Sequence, residues 1–176
     1  MGRGNIFLVG MMGAGKTTIG RALARHLGRE FVDSDRVLAE RTGVPVATIF
    51  EIEGEEGFRR RECAVIVELA EGDGQIVATG GGSILAAENR LAMREAGTVV
   101  YLRARVDNLW ERTRHDATRP LLATPDPRAK LQSLLVEREP LYRDAAHVVV
   151  ETGSQSTQTV VKRVLAALAA RAADSP

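Results

Sequence analysis

Cysteine is all but missing from this chain. Cys63 stands alone among 176 residues, so no internal disulfide can form and a cysteine-built zinc site is excluded, which fits a reducing compartment. It lies in the apolar helical stretch Glu62-Cys63-Ala64-Val65-Ile66 and is read as a buried structural thiol. No segment approaches the ~18 consecutive apolar residues that a membrane span needs. The opening Met1-Gly2-Arg3-Gly4-Asn5 runs directly into a strand-like stretch, without the hydrophobic core and cleavage site of a signal peptide, so a cytoplasmic location is expected. Net charge is nearly absent at +1 and neither end carries a block of like charges, which leaves no electrostatic footprint for nucleic acid. The expected partners are therefore small molecules, with no nucleic acid, no membrane and a monomeric state. Repeats, linkers and low-complexity tracts are absent apart from an Ala-rich tail, Ala172-Ala173-Asp174-Ser175-Pro176, read as frayed. Residues 1–176 are accordingly read as one domain.

What is present is an alternation of short apolar runs with helical patterns. Ile6-Phe7-Leu8-Val9, Phe31-Val32, Gln75-Ile76-Val77-Ala78, Thr98-Val99-Val100-Tyr101-Leu102 and His147-Val148-Val149-Val150 read as strands buried on both faces. Between them, 17–27, 54–70, 88–96, 106–112 and 127–144 read as helices, followed by an amphipathic helix that uses Val160, Val161, Val164, Leu165 and Leu168. Strand, helix, strand implies an α/β fold on a parallel sheet. The stretch 113–127, crowded with Arg114, His115, Asp116, Arg119, Pro120, Pro125 and Pro127, reads as a mobile lid.

Gly10-Met11-Met12-Gly13-Ala14-Gly15-Lys16-Thr17 matches G-x-x-x-x-G-K-[ST], between a strand and a helix as its mechanism requires. Lysine is scarce, three of 24 basic residues, and a chance match to the pattern in this composition is expected only about three times in a thousand. Glycines let successive N–H groups point at phosphate oxygens, and the helix N-terminus behind them adds positive potential. Gly13, Ala14, Gly15, Lys16, Thr17 and Thr18 are thus expected to bind the phosphates of ATP. Within that set, Lys16 would meet the β- and γ-phosphates and Thr17 would ligate Mg²⁺. A dinucleotide site is the weaker alternative, because these glycines lack G-x-G-x-x-G spacing.

Asp33-Ser34-Asp35 follows the second strand, so both carboxylates emerge at the sheet edge where α/β proteins bind ligands. Two residues apart near a strand end, they are read as projecting to the same side, one toward a metal and the other toward a substrate hydroxyl. The plainer alternative is that Ser34 or Asp35 caps a helix beginning near Arg36.

These segments, together with Phe58-Arg59, Thr79-Gly80-Gly81-Gly82, Arg119-Pro120-Leu121-Leu122, Glu137-Arg138 and Leu141-Tyr142, resemble the shikimate kinase family, in that family's order over residues 5 to 150. The resemblance implies a five-stranded parallel sheet flanked by helices, a three-layer α/β/α arrangement of the P-loop nucleoside monophosphate kinase kind. It implies transfer of the γ-phosphoryl group of ATP to the 3-hydroxyl of shikimate, with one Mg²⁺ per subunit. By position, Lys16, Asp35 and Arg119 would be catalytic, and Thr17 and Asp33 would hold the metal. Asp35, Arg59, Gly80, Gly81, Gly82 and Arg138 would bind the acid, the two arginines clamping its carboxylate and the glycines admitting the ring where a Cβ would collide. Arg112, Arg119 and Gln155 would complete the ATP site. Arg59-Arg60-Arg61 is equally read as a solvated helix face, Gly80 to Gly82 as a flexible turn and Arg112 as an exposed helix charge. Glu151-Thr152-Gly153-Ser154-Gln155 stands where the family often has a proline-containing adenine loop, and lacks that proline. A kinase of another small polyol acid, such as gluconate, is the alternative; a nucleotide switch is disfavoured because no Asn-Lys-x-Asp guanine-reading motif is present.

Overall fold

The computed structural model describes residues 4–173; the expectations for Met1 to Arg3 and for the last three residues of the tail lie outside it. Five parallel strands form one sheet: β1 (Asn5–Val9), β2 (Phe31–Asp33), β3 (Ile76–Ala78), β4 (Gly97–Ala104) and β5 (Val148–Thr152), in the order β2-β3-β1-β4-β5. The registers Phe7 to Val77, Leu8 to Val100 and Tyr101 to Val149 align the strands so that their carboxyl ends share one edge. From β1 the chain crosses to β2 on one side, and from β4 it runs to β5 on the other. A crevice therefore opens above β1, where such sheets bind ligands.

Seven helices connect the strands: α1 (Lys16–Leu27), α2 (Ser34–Thr42), α3 (Val46–Ala70), α4 (Ala87–Ala96), α5 (Val106–Thr113), α6 (Pro127–Ala145) and α7 (Thr157–Ala173). Helices α1 and α7 pack together on one face, with α3, α4 and α6 on the other, which makes three layers. The central strands are continuously apolar because both faces are covered: Phe7, Leu8, Val9, Val77, Val99, Val100 and Leu102 are all sealed from solvent. Two of the expected strands differ from that reading. β2 is only half-buried throughout and Val149 of β5 is 41% exposed, because both strands lie at the sheet's edges. No helix among the described residues is long and apolar enough to cross a membrane.

Helix α2 and the first two turns of α3 are not among the expected helices, although Val46, Ile49 and Phe50 carry the i, i+3, i+4 spacing of a helix face. α2 buries just Ser34 and Leu38. α3 is broken at Gly54, which takes φ 69°, a left-handed value that a residue without Cβ adopts freely. Leu38, Ile49, Phe58 and Val65 form a small second core that holds α2 against α3. Cys63 is half-buried rather than buried, since α3 turns it toward Glu88 on α4, whose carboxylate accepts from its Sγ at 3.4 Å. Partial burial and that carboxylate raise the thiol's pKa, so it is an unreactive thiol.

Candidate active site

The glycine-rich loop leaves β1 and winds into α1. Gly13 and Gly15 have φ 80° and 95°, and a Cβ on Gly13 would press on Thr113 at 2.8 Å. The loop is thus held in its curl by backbone conformations and by close packing that only glycine permits. Lys16 Nζ donates to the carbonyls of Gly10 and Met11 at 2.7 and 2.9 Å, so the ammonium lies folded across the loop. Burial lowers its pKa to about 8, opposed chiefly by the negative charge of Asp35.

Asp33 ends β2 and caps α2. Its Oδ1 accepts from the N–H groups of Asp35 and Arg36 at 3.0 and 3.3 Å, while its Oδ2 accepts from Thr17 Oγ1 at 2.9 Å. The cap is therefore Asp33, not Ser34 or Asp35. Because the strand stops at Asp33 and Asp35 already belongs to the first turn of α2, strand alternation does not set their directions. Burial, and then the neighbouring Asp33, raise the pKa of Asp35 above the usual carboxylate range. Ser34 faces inward and accepts the Gly80 N–H at 3.1 Å, tying the second strand's end to the glycine triplet.

Two cavities meet at Asp35. The first, about 390 Å³, is lined by Gly13, Gly15, Lys16, Thr17, Thr18, Asp33, Asp35 and Arg112 among others. The second, about 260 Å³, is lined by Phe50, Phe58, Arg59, Glu62, Gly82 and Arg138. Met12, Asp35, Gly80, Gly81 and Arg119 border both, so the two spaces are continuous. Asp33 borders only the first. Beyond the loop, a cleft of about 190 Å³ is formed by Ala14, Thr18, Arg112, Thr152 and Gln155. Arg112 spans it, donating to the Gly13 carbonyl at 2.9 Å and also to the Gly153 carbonyl. It is exposed as a side chain, yet it ties the glycine-rich loop to the segment after β5.

The second cavity is rich in guanidinium nitrogen without partners. Arg138 is 2% exposed, and its Nε and Nη1 have no hydrogen-bond partner among the described residues. Arg59 donates to Glu62 at 2.8 Å and to Glu55 at 3.3 Å, and its Nε is likewise unpartnered. Of the three consecutive arginines, only Arg59 turns inward; Arg60 and Arg61 pair with Glu56 and Glu53 on the outer face. Glu62, buried at 2% exposure, has one oxygen on Arg59 and the other unpartnered. Burial raises its pKa, with Arg59 opposing.

None of the three glycines takes a left-handed φ, so backbone strain does not explain the triplet. Packing does. A Cβ on Gly82 would occupy the place of the Arg59 guanidinium, and one on Gly80 would strike Glu62 Oε1 at 2.5 Å and Asp35 Oδ1 at 2.9 Å. The partners that a Cβ would meet there are side chains of the acid cavity itself. Above them Arg119, in the segment 113–127, sits with Nε 2.8 Å from Asp116 Oδ2, an ion pair whose geometry does not make a hydrogen bond.

The residues singled out in the sequence border the two cavities, except Ala14 and Gln155, which line only the cleft beyond the loop. Sequence reasoning missed Glu62, Ser34, Met12 and Phe50. For Glu62 the signal was its i,i+3 spacing from Arg59 on one helix face; Ser34 and Met12 have no local mark. Phe50 reaches the cavity only because it stacks on Phe58, with ring centroids 4.4 Å apart.

The family described as Shikimate kinase matches residues 12–169. A shikimate kinase of Nitrosospira multiformis is 61% identical over 153 residues, covering 87% of this chain and 78% of its own length. A solved shikimate kinase from Acinetobacter baumannii, in complex with shikimate, is 46% identical with a TM-score of 0.93, covering 96% of this chain and 94% of its own. A gluconokinase from Sinorhizobium meliloti, at 22% identity and TM-score 0.61 over 98% of this chain and 95% of its own, shares the fold alone.

Proposed function

This chain belongs to the shikimate kinase family, and from that premise we propose that it moves the γ-phosphoryl group of ATP to the 3-hydroxyl of shikimate, within a cytoplasmic monomer. The observation that carries the reading is the meeting of two cavities at Asp35. One has the glycine cradle and lysine that phosphates need; the other has unpaired buried guanidinium groups that a small carboxylate would satisfy.

In this reading Gly13 to Thr18 receive the phosphates through backbone N–H groups, and Lys16 swings from the Gly10 and Met11 carbonyls to the β- and γ-phosphates. Arg112 and Gln155 flank the cleft for the base. Arg59 and Arg138 grip the carboxylate from two sides, which leaves the ring hydroxyls facing Asp35. The attacking hydroxyl oxygen forms a bond to γ-phosphorus as the bond to the β,γ-bridging oxygen breaks, and ADP leaves. The hydroxyl proton passes to Asp35, whose raised pKa makes it a better acceptor than an exposed carboxylate. Arg119 borders both cavities and stabilises charge on the moving group. The segment 113–127 serves as a lid that excludes water, which would otherwise accept the phosphoryl group.

Thr17 hydroxyl and the Asp33 carboxylate, 2.9 Å apart and both oxygen donors, fit Mg²⁺, which prefers one or two protein oxygens with phosphates and water. When bound, the ion would neutralise charge on the β- and γ-phosphates. The testing experiment is a coupled ADP-release assay with shikimate and gluconate side by side. Shikimate-dependent ADP release is expected, with gluconate near background; equal or faster turnover of gluconate would refute the assignment.

A further inference from the structure

Resting on that reading, the glycine triplet poses a problem of orientation. Three consecutive glycines present no Cβ to bias their peptide planes; Ser34 and Ser83 fix Gly80 and Leu85 holds the Gly82 carbonyl, which leaves the Gly81–Gly82 peptide without a local tie. An outside group must hold it. Tyr142 of α6 is sealed from solvent and donates through its hydroxyl to the Gly81 carbonyl at 2.5 Å, 61 residues away in the chain. A trans peptide is planar, with its C=O and N–H pointing in opposite directions. Drawing the Gly81 carbonyl toward Tyr142 therefore turns the Gly82 N–H away from α6, in a residue that lines the acid cavity.

The phenol is itself braced. Its ring stacks on Tyr101 of β4, with centroids 4.9 Å apart and planes inclined by 17°. Tyr101 in turn donates to Glu139 Oε2 at 2.5 Å, and Glu139 Oε1 accepts from Arg103 and Arg143, each at 2.9 Å. Glu139, Arg143 and Tyr142 belong to α6, while Arg103 and Tyr101 come from β4, so the brace spans sheet and helix. Arg138 precedes Tyr142 by one helical turn, on the same face, which places carboxylate clamp and peptide holder on one rigid element. Burial raises the pKa of both phenols, so each keeps its proton and remains a donor.

We propose that Tyr142 is a positioning residue for the acid acceptor, holding the Gly81–Gly82 peptide in its receiving orientation, with Tyr101 and Glu139 keeping the phenol in place. Tyr142→Phe removes the hydroxyl, and with it the bond to the Gly81 carbonyl and the contact with the Arg138 side chain. In the coupled assay its KM for shikimate is expected to rise about tenfold, equivalent to about 1.4 kcal/mol, with kcat and the KM for ATP within about twofold of the parent. An acid KM that rises equally when Arg138 is already alanine assigns the effect to the peptide. Glu139→Gln loosens the brace from the half-exposed side and is expected to raise the acid KM about two- to threefold; it keeps the test alive if the phenylalanine variant fails to fold. A lowered melting temperature with an unchanged acid KM in either variant would overturn the proposal, as would equal rises in both Michaelis constants. An unsubstituted protein that ignores shikimate would overturn the functional reading itself, before either variant is measured.

Discussion

Replacing Arg138 by Met should weaken acid binding strongly while changing stability little. The side chain is 2% exposed, and two of its nitrogens have no partner. Methionine keeps most of the apolar stem and discards the charge, which removes a buried cation but also takes from the buried Glu62 carboxylate one of the guanidinium charges that offset it. These effects oppose each other, so stability is expected to change by no more than about 1 kcal/mol. For a chain of this size that is a shift in melting temperature within about 2–4 °C. The acid meanwhile loses one member of a charge-assisted clamp, a loss of about 2–5 kcal/mol. At 1.4 kcal/mol per factor of ten, the KM for shikimate rises at least about 30-fold. Arg138 lines only the acid cavity, though its charge is felt at Lys16, so the KM for ATP should change far less than that for shikimate. Calorimetry without ligands and the coupled assay at saturating ATP measure the two halves. Shikimate at 100 times its dissociation constant should stabilise the parent by about 2.7 kcal/mol, and should barely affect the variant at the same concentration. A variant that melts several degrees lower with an unchanged acid KM would refute the reasoning, since Arg138 would then be a structural cation.

Gly82→Ala should act through Arg59, because the new methyl group would take the guanidinium's place while the backbone, at φ −99°, accepts alanine. The acid KM should rise about ten- to 100-fold, as expected for a lost charged hydrogen bond of about 1.5–3 kcal/mol, and Gly82→Ala with Arg59→Ala should be no worse than Arg59→Ala alone; additive effects in that cycle would refute the coupling. Lys16, with its pKa lowered to about 8 by burial, should lose its charge in the free protein as pH climbs through that value. The kcat/KM for ATP should fall above about pH 8. The same lowered pKa penalises the charged form on folding, so its contribution to stability is adverse at low pH and is relieved between about 8 and 10.5. A profile for kcat/KM that stays flat to about pH 9.5 would contradict this environment for the ammonium.

The chain's order of residues determined the phosphate loop outright. Its glycines, Lys16 and Thr17 are contiguous, and the chemistry of such a loop is written in local spacing. The apolar runs likewise marked the five strands, though the unbroken apolar character reflects cover on both faces only in the three inner ones. Tertiary structure decided everything that depends on separation in sequence. Strand order is one such matter, and with it the exposure of β2 and β5, because edge and centre differ only by neighbours. The identity of the inward arginine is another: Arg59, Arg60 and Arg61 are the same residue in succession, and only the helix's phase against the sheet distinguishes them. The glycine triplet's purpose became visible only when Arg59, Glu62 and Asp35 occupied the volume its missing side chains leave. Tyr142 holds a carbonyl 61 residues away, a relation no local pattern can carry, because a hydrogen bond between distant positions exists only once the core has brought them together.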